Sequence, residues 1–594
     1  MEYFVGSLYF VLLLIMGAVL FSVKKYRMSV KKNWKIILVF SIVGFIIMNV
    51  LLFIFLRQEN FISYWEFGGF WKKTLEFNDL LSKNIGDAIH FTVDSMKFSE
   101  YSYLPEWFLS TPMYLVGNTY LKFVLLMFNC FVMVFNVLLF SLVLMVLDDF
   151  RKRNNIIVFI FSVIILFFSG NVFPMTLGYI GSAALPFIIS IIILIYSKVL
   201  EDKLSWYSVY IGLVLMLIVL IRRWYAYTVV GFFLGFGISY LIKAFLEKEN
   251  IKKTVFPRYM NLFICGIIPL GIMLWGFPEL FKTFISYDYS FAYGDIQARS
   301  IGEIMTWFFR YYGIVYVCFM LFGMYKAVGN NKTKWIAIAF IISILFSLIS
   351  FNQIQMMGSH HYYIINTYIL LFILFGIEAV MERLQKAQGK KCMYGLVAII
   401  LSIILINTSY LFVNERGSKI RDISEMMIAN SFPELRVRND VEKIREITNF
   451  LKNSIGDSSI YVLATSASFS EDILMNSLLP YDLRPISNMA NSHVWDKRDG
   501  VPKQFFNYQY VVVADPIQFQ FEPESHRVVS ILAEEIMDGT LTQYYDQIIA
   551  YEITNGITVR IYKRNIEISR EVRDLISDMF KEYYPEYPFL YEFD

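Results

Sequence analysis

A carboxylate set among aromatic rings is the first group in this chain that could do chemistry. Glu66 lies in Tyr64-Trp65-Glu66-Phe67-Gly68-Gly69-Phe70-Trp71, about ten residues beyond a hydrophobic segment ending near Leu56. There it could take a proton from a hydroxyl at a membrane surface, with Tyr64 and Trp65 stacking on the substrate. The alternative is a polar loop residue paired with Lys72 or Lys73. Glu59, Asp79, Asp87 and Asp94 compete for the same role. Arg222-Arg223-Trp224-Tyr225-Ala226-Tyr227 is the second group. Guanidinium groups match phosphate oxygens two at a time, so Arg222 and Arg223 could clamp a phosphate, with Tyr225 beside it. The alternative is that both snorkel to headgroups. Gly358-Ser359-His360-His361-Tyr362-Tyr363 holds two of the five histidines. Adjacent residues on a helix point about 100° apart. His360, His361 and Tyr362 therefore suit hydrogen bonds to a sugar or phosphate better than two-point metal ligation, or simple bonding at the interface. Tyr287-Asp288-Tyr289…Arg299…Glu303 is a polar aromatic stretch suited to stacking on sugar. Asp288 and Arg299 are its candidates, with Arg310 beyond.

Apolar elements must carry these groups. The chain has 594 residues, 57% hydrophobic and 17% charged, against about 45–50% and about 25% in soluble domains. Runs of roughly 20 apolar residues recur, each able to cross a hydrocarbon core of about 30 Å. The expectation is an α-helical polytopic membrane protein with about twelve transmembrane helices. They fall near Phe4–Val23, Lys35–Leu56, Leu121–Leu147, Asn155–Val172, Thr176–Leu200, Trp206–Ile221, Trp224–Ile242, Met260–Trp275, Ile304–Val328, Trp335–Phe351, Tyr362–Val380 and Met393–Val413. A net charge of +3 gives no basic field for nucleic acid. Cys130, Cys265, Cys318 and Cys392 show neither disulfide nor metal spacing.

Lys and Arg in short loops set the expected orientation. Lys24-Lys25-Tyr26-Arg27, Arg151-Lys152-Arg153, Lys252-Lys253, Lys332 with Lys334, and Lys390-Lys391 fall on one side, which is then cytoplasmic. The Glu66 loop, the Arg222-Arg223 turn, the His360-His361 loop and the tail then face outside the cell membrane.

Residues 1–413 read as the transmembrane domain, with a large outside loop over 57–117. Phe70, Trp71, Leu75, Phe77, Leu80, Leu81 and Ile85 recur among charged residues at helical spacing, which predicts an interfacial amphipathic helix. Pro105 can open a second. Residues 414–594 read as an extracytoplasmic α/β domain. Ser459–Ala464 and Tyr508–Ala514 look like buried strands, and Gln547–Ile553 and Ile557–Lys563 flank Asn555-Gly556, a type I′ hairpin signal. Helical patterns run over Asp440–Lys452, Arg527–Met537 and Ile566–Lys581. No Gly-rich phosphate loop follows a strand. His493, Asp496, Asp515 and His526 read as ordinary surface or loop residues.

The layout resembles a known superfamily. An apolar span, an acid in an aromatic loop, amphipathic surface helices, and Tyr103-Leu104-Pro105…Pro112-Met113-Tyr114-Leu115-Val116-Gly117 leading into a long span look like the GT-C integral membrane glycosyltransferases, over roughly Lys35–Val413. In that family an Asp or Glu of the first large outside loop is the catalytic base, and Glu66 matches that position. The resemblance implies a polyprenyl-phosphate sugar donor and transfer on the outer face. The extra N-terminal span departs from the commonest layout. Phe67 follows Glu66, so the usual paired acid is absent.

The chemistry can be argued without the family. Nucleotide sugars are cytoplasmic, so transfer outside needs a lipid-carried donor. Its leaving group is an anionic lipid phosphate that needs positive charge, while the acceptor hydroxyl needs a base. One carboxylate and one cationic clamp suffice, with inversion at the anomeric carbon. The expected partners are a polyprenyl-phosphate sugar, an outside glycan, cell-wall polymer or lipid-linked acceptor, and the lipid bilayer, with no nucleic acid. No cofactor is certain, and a divalent metal stays open. One rival is a polymerase or ligase of lipid-linked glycans using a diphosphate donor. Another is a flippase or transporter of lipid-linked sugars, which would favour internal repeats and midplane charges. A third is a non-catalytic scaffold that binds partners through its tail.

Overall fold

The computed structural model describes residues 8–99, 101–150, 154–201, 203–287, 297–298, 300–412, 419–490 and 495–594, and is mostly helical. Asp288, Arg299 and His493 lie outside the described residues. The chain forms two compact units, Met1–Arg57 with Phe77–Glu434, and Gln58–Glu76 with Leu435–Asp594. This division differs from a cut after residue 413. The first part of the large loop joins the C-terminal unit, and residues 419–434 join the helical one.

In the first unit the twelve expected spans overlap helices among the described residues, some of them two helices in succession, and not all reach membrane length. Among the described residues eight helices are long and apolar enough to cross a bilayer: Lys24–Gln58, Tyr120–Asp149, Asn155–Thr176, Arg223–Leu246, Ile251–Gly276, Lys334–Asn352, Tyr363–Ala387 and Lys390–Ser409. A ninth is formed if Ile301–Tyr312 and Ile314–Val328, bent by 102°, are one broken span. Leu8–Ser22, Ile180–Tyr196 and Tyr207–Ile221 are apolar but shorter. The 15 residues of Tyr207–Ile221 cover about 22 Å, against a core of about 30 Å. The basic run expected as a loop after the first span is helical and opens Lys24–Gln58.

Small residues bring these helices together. A Cβ added at Gly323 would overlap the Phe372 carbonyl, and one at Gly376 would overlap the Phe319 carbonyl. Ile314–Val328 and Tyr363–Gln388 therefore meet backbone to backbone, a packing that large side chains forbid. On Lys334–Asn352, Ser343 Oγ donates to the Gly231 carbonyl at 2.7 Å, and Ser239 Oγ donates to the Trp335 carbonyl at 2.6 Å. These bonds tie that helix to Ala226–Leu246.

The large loop holds three helices rather than two: Trp65–Lys83, Ile85–Phe98 and Leu104–Val116. Asn84 breaks the first pattern, because its side chain accepts from the Gly86 and Asp87 N–H groups and caps a new helix. Pro105 lies in the first turn of the third, as expected.

The second unit is an α/β fold. Five strands, β1 (Ile460–Leu463), β2 (Met489–Ala490), β3 (Tyr510–Asp515), β4 (Tyr545–Glu552) and β5 (Thr558–Arg564), run in the order β2-β1-β3-β5-β4. The first three are parallel, and β5 is antiparallel to both β3 and β4. Asn555 and Gly556 close the β4–β5 turn with φ of 61° and 71°, the paired left-handed geometry a type I′ turn requires. β1 is buried throughout and β3 at all but its last residue, which is why they read as unbroken apolar runs. One face packs Ile460, Val462 and Val512 against Ile444, Ile447 and Ile62. The other packs Leu463, Val511 and Val513 against Val529, Leu532 and Ile576. Strand β2 is too short to leave a pattern in the sequence.

Candidate functional site

In the first unit, chemistry gathers where apolar helices end. Tyr207–Ile221 stops at Arg222, whose extended backbone (φ −150°, ψ 125°) breaks the helix before the Arg223–Tyr225 turn. Arg222 is 6% exposed. Its guanidinium lies 4.5 Å from the Tyr101 ring centroid and 6.0 Å from that of Trp224. A guanidinium on a ring face keeps its charge. Trp224 in turn meets His360 and His361 edge-on, at 6.5 and 5.9 Å. His360 stacks on Tyr179 at 3.9 Å and 10°. Burial, with the Arg222 charge adding to it, holds His360 well below its ordinary range. It is therefore a neutral ring at pH 7. His361 Nδ1 accepts the Gly358 N–H at 3.0 Å, which leaves its proton on Nε2. Trp224 Nε1 is buried without a hydrogen-bond partner among the described residues.

The neighbours of this cluster have other tasks. Arg223 donates to the Ser99 carbonyl. Tyr225 is fully buried and donates to the Gly181 carbonyl at 2.8 Å. Gly181 has no room for a Cβ, which would meet the Trp224 ring at 2.8 Å. Tyr362 packs instead on Tyr311 and Tyr312, at 4.7 and 5.6 Å. Arg310 is exposed over Trp307. A cavity of about 10 Å³ beside Arg222 and Arg223, lined also by Ser99, Ser102 and Leu280, has room for about one water.

Three members of this unit were not singled out from sequence. Tyr101 stood in a Tyr-Ser-Tyr run without charge. Tyr179 was hidden inside one expected span over Thr176–Leu200, although Pro174 and Gly178, the latter at φ 100°, mark the break that exposes it. Glu106 is fully buried on Leu104–Val116, a helix that packs against Ile180–Ala184 and Tyr207–Ile221. An acid buried among apolar helices is costly and marks a functional position by default.

Glu66, Tyr64 and Trp65 belong to the second unit. The segment before them is pinned to the C-terminal part. The Asn60 N–H donates to the Arg436 carbonyl at 3.0 Å, and the Arg438 N–H donates to the Asn60 carbonyl at 2.6 Å. Arg436 forks onto Glu59 at 2.7 and 2.8 Å and lies 3.8 Å over the Phe61 ring. Glu59 is thus a structural anchor. Arg438 forks onto Asp440 at 2.9 and 3.0 Å. Burial opposes charge on Asp440, yet this fork and the Thr554 N–H hold its carboxyl below the usual range. Asp79 pairs with Lys83 at 2.6 Å, and Asp94 with Lys97 at 4.0 Å. Both are exposed pairs of little energetic weight.

Glu66 is half-buried in the first turn of Trp65–Lys83, where the helix dipole favours negative charge. The Trp65 N–H donates to Asp472 Oδ2 at 3.0 Å, and Asn476 Nδ2 donates to the Ser63 carbonyl at 2.8 Å. Next to Asp472, burial and then the Asp472 charge push Glu471 up to about 8, against the pull of Lys72. Burial raises Asp472 too, against the Trp65 N–H and Lys72. No sequence signal joined these residues to Glu66, because some 400 residues separate them. Among the described residues no three His, Cys, Asp or Glu side chains cluster as a metal site.

No protein-family model matches this chain, and no curated protein sequence matches it.

Proposed function

We propose that this chain is a membrane glycosyltransferase that moves a sugar from a polyprenyl-phosphate donor to an extracytoplasmic glycan, cell-wall polymer or lipid-linked acceptor. The observation that carries the reading is Arg222, a buried cation set on aromatic rings at the end of apolar helices. That is a setting for an anionic headgroup attached to an apolar tail. The orientation of the basic loops supports placing it on the outer face.

In this reading the acceptor hydroxyl attacks the anomeric carbon, and the bond from that carbon to the phosphate oxygen breaks. The polyprenyl phosphate leaves with the electron pair. A carboxylate, Glu66 on the sequence reading, takes the hydroxyl proton, and a cation stabilises the charge on the departing phosphate, a task that the setting of Arg222 suits. A single displacement inverts the anomeric centre. His360 and His361, with His360 neutral, offer hydrogen bonds to sugar or phosphate.

The test is to incubate the purified full chain in nanodiscs with polyprenyl-phosphate sugars carrying a radiolabel. Release of polyprenyl phosphate together with a labelled, inverted product is expected. Consumption of polyprenyl-diphosphate sugars alone would favour a polymerase or ligase. Movement of intact donor across vesicles without transfer would favour a transporter.

A further inference from the structure

We propose that Asp472 and Asn476 are positioning residues for Glu66, gripping the Ser63–Trp65 backbone from one face of the Glu471–Asn476 helix. The inference rests on the reading of Glu66 as the catalytic base. Residues four apart on a helix share a face, and these two bond to the peptide groups on either side of Tyr64. Asp472 accepts the Trp65 N–H and Asn476 donates to the Ser63 carbonyl. Trp65 has a φ of 51°, in the left-handed region where a Cβ is disfavoured. It directly precedes Glu66. A backbone held in that conformation relaxes when its restraints go, and the next side chain turns with it.

The surroundings make the grip rigid on both sides. Ile473 and Leu474, between the gripping residues, are fully buried in the core beneath β1. The Glu59–Arg436 fork fixes the chain upstream. Downstream the turn closes tightly, since the Gly68 N–H donates to the Tyr64 carbonyl at 3.2 Å. A Cβ at Gly68 would meet the Ser63 backbone at 2.8 Å. A functional carboxylate needs this kind of support, because a small misplacement removes much of its effect. The C-terminal unit thus sets the geometry of the acid.

The test uses the full chain in nanodiscs and two readouts, amide exchange over residues 60–70 and steady-state transfer from a polyprenyl-phosphate sugar. Asp472→Ala is expected to speed exchange at Trp65 and Glu66. It should lower kcat by about 10–100-fold while leaving donor KM within about twofold. Asn476→Ala should act in the same direction. Asp472→Asn should recover most of both readouts, because its amide oxygen still accepts the Trp65 N–H and burial already disfavours the charge. Unchanged exchange in Asp472→Ala overturns the proposal. So does faster exchange with parental kcat, and that result leaves Glu66 as base untouched. A parent chain that transfers from no polyprenyl-phosphate sugar overturns the base reading, and this proposal falls with it.

Discussion

The Arg222 guanidinium lies over the Tyr101 ring, 4.5 Å from its centroid. Tyr101 comes from the loop between Ile85–Phe98 and Leu104–Val116 and Arg222 from the end of an apolar helix, so the contact joins segments 121 residues apart in the chain.

Donor affinity should follow that contact. Arg222→Lys is expected to weaken polyprenyl-phosphate binding, because an ammonium lacks the planar fork and stacks less well on a ring. Arg222→Ala should weaken it further, by about 2 kcal/mol or roughly 30-fold in Kd. Arg223→Ala should act mainly on stability, since Arg223 serves the Ser99 carbonyl. Donor titration of each folded variant decides. Unchanged Kd in Arg222→Ala removes the phosphate contact.

Glu66→Gln keeps shape and hydrogen bonding but cannot take a proton. Turnover should fall by about 10²–10⁴-fold while donor binding persists. Glu59→Gln should act on stability instead, because that residue forks with Arg436. Glu106→Gln belongs in the same assay, since Glu106 is fully buried. Parental turnover in Glu66→Gln with a dead Glu106→Gln would move the base to Glu106.

Sidedness is tested by labelling intact cells, in a background lacking the four native cysteines. Cysteines at Ser82, Ser359 and Ser458 should react with an impermeant reagent, and one at Lys332 should not. The reverse pattern would remove Glu66 from the outer face.

Glu471 predicts a pH dependence of the second unit. Its carboxyl titrates near 4.5 when unfolded and about 8 when folded. The folded state therefore holds the proton more tightly. Its contribution is complete below pH 4.5 and is lost as pH rises towards 8, with a slope on the order of 1 kcal/mol per pH unit. Amide exchange of β1 and β3, corrected for intrinsic rates, should show that fall. Glu471→Gln should flatten it.

Close helix packing predicts a cost for a single methyl. Gly376→Ala would drive a Cβ into the Phe319 carbonyl, so thermal unfolding should report a loss of about 1–3 kcal/mol. Gly395→Ala, where an added Cβ meets nothing within 4 Å, should be neutral apart from helix propensity.

The apolar helices, the Asn555-Gly556 turn and the β1, β3, β4 and β5 strands were legible in the sequence, because each is written in local period or turn chemistry. Span length was less so. Hydropathy counts apolar residues but does not see Gly178 end one helix or Gly313 (φ 81°) bend another.

Membrane-like helical character and the kinds of residue able to do chemistry were determined by the sequence alone, since composition and side-chain type need no partner. Which residues meet was decided by tertiary structure. Arg222 and Arg223 are neighbours in the chain just past the helix that ends at Ile221, yet one stacks on Tyr101 and the other bonds to Ser99. Glu66 reads as part of a membrane loop, yet its segment is built into the C-terminal unit through Arg436, Asp472 and Asn476. Those bonds join residues hundreds of positions apart, and no local pattern encodes them. They form when the core around β1 has folded and can hold its partners in place.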